Sequence, residues 1–231
     1  SLQEQEKPRA PVSADVQLRF QQALAFQQHG QLDQAELIYR EILTHAPDFF
    51  DALHLLGIIE GQRGNAAASA AWISRAIRIN PYDASAHSNI GNALLELKRP
   101  EEALASYDRA LALKSDFAAA INGRGNALVE LKRPEEAVTS YDRALELHPD
   151  YVEALNNRGN VLLYLNRPGE ALASFYLALK LQPDYVDAIN GCGKALQDLK
   201  RPEEALANYD RALKLQPDSV EALNDRGNVL L

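Results

Sequence analysis

One segment of fourteen residues occurs three times in this chain with almost no change. It runs from Lys98 to Leu111 and returns at 132–145 and at 200–213. A weaker copy at 166–179 fills the interval, so the repeat length is 34 residues throughout this half of the chain. A fixed period of this size is typical of arrays in which each structural unit packs only on its neighbours. Fold and function are therefore sought in the repeat rather than in a single residue.

The same register extends to both ends of the array. Six full repeats at 16–49, 50–83, 84–117, 118–151, 152–185 and 186–219 are followed by a partial seventh at 220–231. Residues 1–15 are polar, contain Pro8 and Pro11 and lack helical periodicity, so we expect a flexible lead-in, with Asp15 capping the first helix. Because the chain starts at Ser1 without an initiator Met and stops inside a repeat at Leu231, we interpret it as a piece of a longer protein.

Each repeat is predicted to form two helices of about 12 to 14 residues. In the later repeats the second helix is expected to begin at a proline, where the missing amide does no harm, followed by acidic residues that suit the helix dipole. These prolines are Pro100, Pro134, Pro168 and Pro202. The first helix is expected to begin after a step such as Pro149-Asp150, with the aspartate accepting hydrogen bonds from the open amides of the helix start.

Glycine recurs in the middle of the predicted first helices. The glycines are Gly57, Gly91, Gly125, Gly159, Gly193 and Gly227. A glycine there costs about 1 kcal/mol relative to alanine, so its repetition at a fixed spacing needs a cause. Small residues recur twelve and nineteen places further on, as Ala137 and Ala144 follow Gly125. Helices approach to about 8–10 Å only where side chains are small, so these positions are predicted to be crossing points within and between repeats.

These features together resemble the tetratricopeptide repeat. The resemblance covers residues 16–231 and rests on a pattern seen in one copy as Leu155, Gly159, Leu162, Ala171, Phe175, Ala178 and Pro183. It implies an all-α fold, a right-handed superhelical solenoid of antiparallel helix pairs. It also implies that the first helices line a concave groove, which in this family usually holds an extended or helical peptide.

A stripe of polar residues, mostly asparagine, follows the predicted groove. If the glycine side of each first helix faces its partner helix, the residues three before and one after the glycine form an i, i+4 pair on another face. Those pairs are Ser88/Asn92, Asn122/Asn126, Asn156/Asn160, Asn190/Lys194 and Asn224/Asn228, with Asn89 and Asn157 beside them. A carboxamide offers donors and an acceptor, so such a ladder could bracket the peptide groups of an extended ligand. Copying of the asparagines by duplication, or a packing role, is the alternative.

The charge of the predicted groove indicates what it could bind. Acidic residues stand at the starts of first helices, as Asp51, Glu153, Asp187 and Glu221, and near their ends, as Glu96, Glu130 and Asp198. Opposite charge steers partners together, so a neutral or basic peptide is expected. Complementarity to the helix dipole would also account for acids at the helix starts. The net charge of −8 argues against nucleic acid as the partner, since phosphate binding needs a basic surface.

Two subgroups of the family bear on the partner. Members that clamp the terminal carboxylate of a chaperone resemble one another in carrying Lys and Arg on the groove face, where this chain has Lys194 as its one base. Chaperone-tail binding is therefore not expected. Members attached to protein O-glycosyltransferases carry asparagine ladders; Asn89 and Asn157 match the ladder position of that group, but Gly123 and Gly191 interrupt it.

The first two repeats differ from the others in carrying apolar or aromatic residues on the predicted groove face. These are Phe20, Leu24, His54 and Ile58. Such a patch could seat a hydrophobic anchor of a partner, the lead-in folded back, or another copy of the chain. Poorer packing in a divergent terminal repeat is the alternative.

Other apparent motifs do not indicate a site. The segment 191–195 lacks the earlier glycine and the following Ser or Thr of a phosphate loop, and it falls within a predicted helix. The five histidines show no ligand spacing with one another or with Cys192, so no metal, cofactor or catalytic Cys-His pair is expected. Steps such as Lys132-Arg133 are interpreted as solvated turns. No apolar run reaches the roughly 18 residues of a membrane span, so a soluble, cytoplasmic protein without a membrane partner is predicted, which a single cysteine suits.

The sequence therefore favours a non-catalytic scaffold that binds a protein or peptide segment in an asparagine-lined groove. The alternatives are the recognition arm of a larger enzyme, such as a protein O-glycosyltransferase, and a module that assembles end to end with itself.

Overall fold

The computed structural model describes residues 13–229, and within that range the chain contains helices and turns without strands. The helices are α1 (Ala14–Gln28), α2 (Leu32–His45), α3 (Phe50–Gln62), α4 (Ala66–Ile79), α5 (Ala84–Glu96), α6 (Pro100–Leu113), α7 (Ala118–Glu130), α8 (Pro134–Leu147), α9 (Val152–Tyr164), α10 (Pro168–Leu181), α11 (Val186–Asp198), α12 (Pro202–Leu215) and α13 (Val220–Val229). Odd numbers are the first helices of the repeats and even numbers the second. The predicted all-α order of six pairs and a seventh first helix is confirmed.

The chain divides into two compact units, residues 1–97 and 98–231. In the first unit, α1 packs on α2 and α3 on α4, while α2 rests on α3 and α4 on α5. In the second unit, α7 packs on α8, α9 on α10 and α11 on α12, and each second helix also rests on the following first helix. The first helices α7, α9, α11 and α13 contact one another in that order. The predicted site residues of the second unit lie on this layer of first helices.

The N-terminal lead-in predicted for residues 1–15 is described only in part, because residues 1–12 lie outside the described range. Helix α1 begins at Ala14 and is capped by Ser13, whose hydroxyl accepts a hydrogen bond from the Val16 amide at 3.3 Å. Asp15 lies in the first turn, where a carboxylate favours the positive end of the helix dipole. The cap is therefore Ser13, and the prediction that Asp15 caps this helix is wrong.

The second helices of the later repeats begin at the predicted prolines, Pro100, Pro134, Pro168 and Pro202. The arginine before each proline bonds the glutamate three residues later. At Arg133, Nε and Nη2 donate to the two carboxylate oxygens of Glu136 over 2.6 and 2.7 Å. The Lys-Arg steps are thus turns in which the arginine charge is neutralised by the glutamate three residues later.

The prediction that an aspartate caps the first helices is wrong for most repeats. Asp150 lies in the turn before α9, and the cap residue is Tyr151, which makes no side-chain cap hydrogen bond. The turn closes from the Tyr151 amide to the His148 carbonyl over 3.1 Å, with Pro149 in the second position, where a fixed φ is favoured. Asp48, Asp116 and Asp184 stand in the same place before Phe49, Phe117 and Tyr185.

A residue in the left-handed backbone region closes the turn between the two helices of each repeat. It is Gly30 or Gly64 in the first two repeats, and a larger residue afterwards: Lys98, Lys132, Asn166 and Lys200, with φ between 55° and 61°. At Lys132 the Arg133 amide then donates to the Leu128 carbonyl over 2.9 Å, which caps the end of α7. Glycine adopts this conformation without the steric cost of a Cβ, so the lysines occupy strained positions.

The core of each later repeat forms where an aromatic ring lies on a glycine. The rings of Tyr141, Phe175 and Tyr209 are buried, and a Cβ built on Gly125, Gly159 or Gly193 would lie 2.5 Å from the ring sixteen places further on. The isoleucine Ile73 occupies the same place against Gly57. The predicted crossing points are confirmed at these four glycines, whereas Gly227 faces open space.

No helix in residues 13–229 is both long enough and apolar enough to cross a membrane.

Candidate functional site on the first helices

The predicted asparagine stripe divides into a buried row and a surface row. The residue three before the glycine is buried in each complete case, with Ser88, Asn122, Asn156 and Asn190 exposed by 3%, 8%, 5% and 4%. The residue one turn later is nearer the surface: Asn92 and Asn160 are exposed, and Asn126 and Lys194 are half-buried. Both members are exposed on α13, as Asn224 and Asn228. The buried row lies between neighbouring first helices, so packing in the protein constrains these side chains even without a ligand.

Between α7 and α9 the carboxamides bind one another. Asn157 Nδ2 donates to Asn122 Oδ1 over 3.3 Å and to Asn126 Oδ1 over 3.2 Å. The buried Tyr141 hydroxyl also donates to Asn126 Oδ1 over 2.7 Å, and burial raises the pKa of Tyr141. Asn122, Asn126 and Asn157 thus form a hydrogen-bond network between α7 and α9. This is the packing role that was named as the alternative to ligand binding.

The first unit repeats this arrangement with a histidine. Asn89 on α5 lies 3.0 Å from His54 on α3, measured from Nδ2 to Nε2, at the same spacing as Asn157 and Asn122. Since an amide nitrogen only donates, His54 Nε2 accepts and its proton is on Nδ1. Burial lowers the pKa of His54, although the charges of Asp83 and Asp51 oppose the shift.

Of the four residues of the predicted apolar patch, Phe20 and His54 belong to the core, and Leu24 and Ile58 are half-buried. The Phe20 ring is buried against Tyr39 and Phe49, at centroid distances of 5.9 and 5.2 Å. His54 is buried against Phe50 at 5.5 Å. A concavity of about 270 Å³ in this unit involves Ile58 and is otherwise mixed in polarity: Gly61, Gln62, Ser69, Ile73, Asn89, Asn92, Ala93 and Glu96 also line it.

Between α9 and α11 the network is missing because Gly191 stands at the position of Asn157. The ring of Phe175 lies where a side chain would begin, with Cε1 2.5 Å from a Cβ built on Gly191. The Oδ1 atoms of Asn156 and Asn190 are buried and have no hydrogen-bond partner. A buried acceptor without a partner costs about 1–3 kcal/mol, so a hydrogen-bond donor that reached either oxygen would be favoured.

Both asparagines line one concavity of about 130 Å³, called here the polar cavity. Its residues are Asn156, Asn160, Asp187, Asn190, Gly191, Lys194 and Glu221. Lys194 forms ion pairs with Glu221 and, over 3.5 Å, with Asp225. Burial lowers the pKa of Lys194, but these two carboxylates outweigh it and raise the pKa above its ordinary value. The one base of the stripe is therefore charged and already paired.

The arginines of the same first helices are also paired with acids. Arg124, Arg158 and Arg226 bond the aspartate sixteen residues earlier over 2.8, 2.6 and 2.6 Å. The carboxylates of Glu153 and Asp187, by contrast, are exposed at the starts of α9 and α11. Two exposed carboxylates therefore lie at the starts of these first helices.

A second concavity of the second unit, of about 150 Å³ and called here the apolar cavity, was not predicted from the sequence. Its residues are Val129, Lys132, Pro134, Asn160, Val161 and Tyr164. The Tyr164 side chain is 71% exposed, and it stands where other repeats have Glu130 and Asp198. An aromatic residue at an otherwise acidic surface position is the signal that could have found it. Asn160 lies at the boundary of both cavities.

The structure places Cys192 in the core of the second unit. Cys192 is fully buried, and burial raises the pKa of its thiol to about 12, so it stays a protonated core residue. In residues 13–229 no group of three or more His, Cys, Asp or Glu side chains is arranged to hold a metal ion.

Solved structures with this fold include several repeat proteins. PilW, a widely conserved type IV pilus biogenesis factor, is 19% identical, with 95% of this chain and 100% of that chain covered and a TM-score of 0.83. PilF of Pseudomonas aeruginosa is 18% identical, with 92% and 97% covered and a TM-score of 0.80. YrrB, a TPR protein with an unusual peptide-binding site, is 22% identical, with 82% and 97% covered and a TM-score of 0.64. At these identities the likeness is one of fold.

Family models match nearly the whole array. A model described as tetratricopeptide repeat matches residues 20–84 and 122–186, and another of the same description matches 84–117. A model described as TPR repeat matches 198–231. The sequence matches no curated protein. Since the models cover more than half of its residues, the chain belongs to the tetratricopeptide repeat family.

Proposed function

We propose that this chain is a non-catalytic interaction module that binds an extended, neutral or basic peptide segment of a protein partner. The binding surface is the layer of first helices in the second unit, α7, α9, α11 and α13. The observation that carries the proposal is the polar cavity, in which two buried carboxamide oxygens without partners lie beside exposed acids. A module of this kind works equally well alone or as the recognition arm of a larger enzyme.

The charges of the described residues support a neutral or basic ligand. Glu153 and Asp187 present exposed carboxylates, and the bases nearby are held in ion pairs. An acidic peptide would meet repulsion at this surface, while a basic one would be attracted during encounter. YrrB, with its peptide-binding site on the same fold, supports peptide recognition by arrays of this type.

The shape of the surface supports an extended segment rather than a globular domain. The polar cavity and the apolar cavity are each small, at about 130 and 150 Å³, and they meet at Asn160. Each has room for one side chain, so successive residues of a peptide could occupy them. The asparagines between would then bond its main chain.

The test is a positional-scanning peptide library presented to the full 231-residue chain. Enrichment of basic or uncharged residues over acidic ones is expected, with weaker capture as salt rises. A library from which acidic peptides are enriched, or from which nothing is captured, would contradict the proposal. Light scattering over a range of concentrations should accompany the screen, because a mass that grows with concentration would indicate self-assembly instead.

A further inference from the structure

We propose that the polar cavity is the subsite for one arginine side chain of the bound peptide. The inference deepens the proposed function and depends on it for its biological meaning. It starts from a break in the repeat pattern: the position filled by Asn157 on α9 is Gly191 on α11. Between α7 and α9, Asn157 supplies the donor to Asn122. Between α9 and α11, Gly191 supplies none to Asn156.

Packing keeps this break in place. The Phe175 ring lies against Gly159 on one side and against Gly191 on the other, and a Cβ at either glycine would come within 2.5 Å of Cε1. An asparagine at position 191 could therefore not replace the missing donor. A ligand could supply the donor that Asn156 Oδ1 lacks.

The acceptors of the cavity fit a guanidinium group. The side chains of Asn156 and Asn190 and the carboxylates of Asp187 and Glu221 line it, and a planar guanidinium carries five N–H donors that can serve several acceptors at once. The oxygens are covered in this structure, so each carboxamide presents its oxygen by turning about χ2, which is a soft torsion.

Size and charge favour the same occupant. A space of about 130 Å³ corresponds to roughly four water molecules, and a guanidinium has four heavy atoms. Lys194 is bound to Glu221 and Asp225, which leaves Asp187 as the unneutralised charge of the lining. A carboxylate, in contrast, would find acceptors facing it.

The experiment uses three small probes on the full chain: N-acetylarginine methylamide, its lysine analogue and its neutral isostere citrulline. Binding is followed through the side-chain amide signals of Asn156 and Asn190 in ¹⁵N NMR spectra. We expect saturable binding of the arginine probe, roughly tenfold weaker binding of citrulline, and intermediate binding of lysine. Citrulline binding as tightly as arginine, or no saturation by arginine, would overturn the proposal.

Variants add a second readout whose direction is diagnostic. Asn156→Leu and Asn190→Leu remove the unpaired acceptors, so they are expected to raise the melting temperature while weakening the arginine probe at least about tenfold. Asn122→Leu is the matched control: its oxygen has a partner, so it should lower the melting temperature and leave probe binding unchanged. Unchanged arginine binding in both polar-cavity variants refutes the subsite. If a variant fails to fold, the comparison of the three probes on the parent chain decides instead.

The two proposals fail in distinguishable ways. A peptide library that is captured without any preference for arginine contradicts this subsite alone. Arginine binding to the cavity without capture of longer peptides contradicts the wider function and leaves the subsite standing.

Discussion

Gly191 on α11 faces the ring of Phe175 on α10 so closely that a Cβ on the glycine would lie 2.5 Å from Cε1. The same ring meets Gly159 on α9 at the same distance. One aromatic side chain is thus held between the backbones of two successive first helices. This relationship sets how closely the repeats pack, and it also excludes a side chain from the polar cavity.

Gly191→Ala is expected to lower the free energy of unfolding by about 1–3 kcal/mol, because the buried ring cannot move away from the added methyl group. Gly169→Ala is the matched control, since nothing lies within 4 Å of a Cβ at that helical position. The control should be neutral or stabilising by up to about 1 kcal/mol. Urea melts of both variants measure the difference, and equal midpoints would contradict the packing account.

Lys132→Gly is expected to raise the free energy of unfolding by about 1 kcal/mol, because the residue has a φ of 59°, where a Cβ is strained. Gly64 already occupies the equivalent position of the second repeat. Lys132→Ala serves as the control, because it removes the ammonium and keeps the Cβ. If alanine stabilises the protein as much as glycine, charge rather than backbone strain is responsible.

Asn157→Ala is expected to destabilise the protein by about 1–3 kcal/mol, since it leaves the buried Asn122 Oδ1 without its donor. Asn160→Ala, at an exposed position on the same helix, should change stability by less than about 0.5 kcal/mol. Thermal melts monitored by circular dichroism compare the two. If Asn157→Ala leaves the melting temperature unchanged, the network between α7 and α9 does not stabilise the fold.

His54 is expected to make the first unit less stable as the pH is lowered. Burial lowers its pKa in the folded state below the ordinary value of about 6.5, so the unfolded chain binds its proton first. Stability is therefore complete above about pH 6.5 and decreases as the pH falls towards the folded-state pKa. Protonation of His54 Nε2 would also remove the acceptor of the hydrogen bond from Asn89 Nδ2.

The variant His54→Asn, which copies Asn122 of a later repeat, tests this pH dependence. Melting temperatures measured between pH 8 and pH 5 should decline less in the variant than in the parent. Parallel declines would assign the acid sensitivity to other groups.

The helix pairs could be predicted from the sequence because their signals are local and repeated. The prolines at the starts of the second helices and the glycines of the first helices keep their meaning in every copy. The caps could not be predicted as well, since Asp150 and the cap residue Tyr151 are adjacent and the turn geometry decides between them. Asp83 does cap α5, accepting from the Ala86 amide over 2.7 Å, because it stands one place later in its repeat.

The asparagine stripe shows where prediction from one repeat ends. Asn122 and Asn156 occupy equivalent positions, yet one is bonded and the other is not. The difference depends on a residue 35 places later, Asn157 for the first and Gly191 for the second. That relation joins neighbouring helices and has no local sequence signal. Tyr164 was missed for a simpler reason, because it replaces an acid in a single copy.

The most direct test of the central claim is the affinity of a basic peptide from the library for the parent chain and for the double variant Glu153→Gln, Asp187→Asn. Fluorescence anisotropy at low and at physiological salt gives the dissociation constants. The account predicts that the variant binds roughly tenfold more weakly at low salt and loses most of the parent's salt dependence. Equal affinity and equal salt dependence in the two proteins would contradict a binding surface on the acidic layer of first helices.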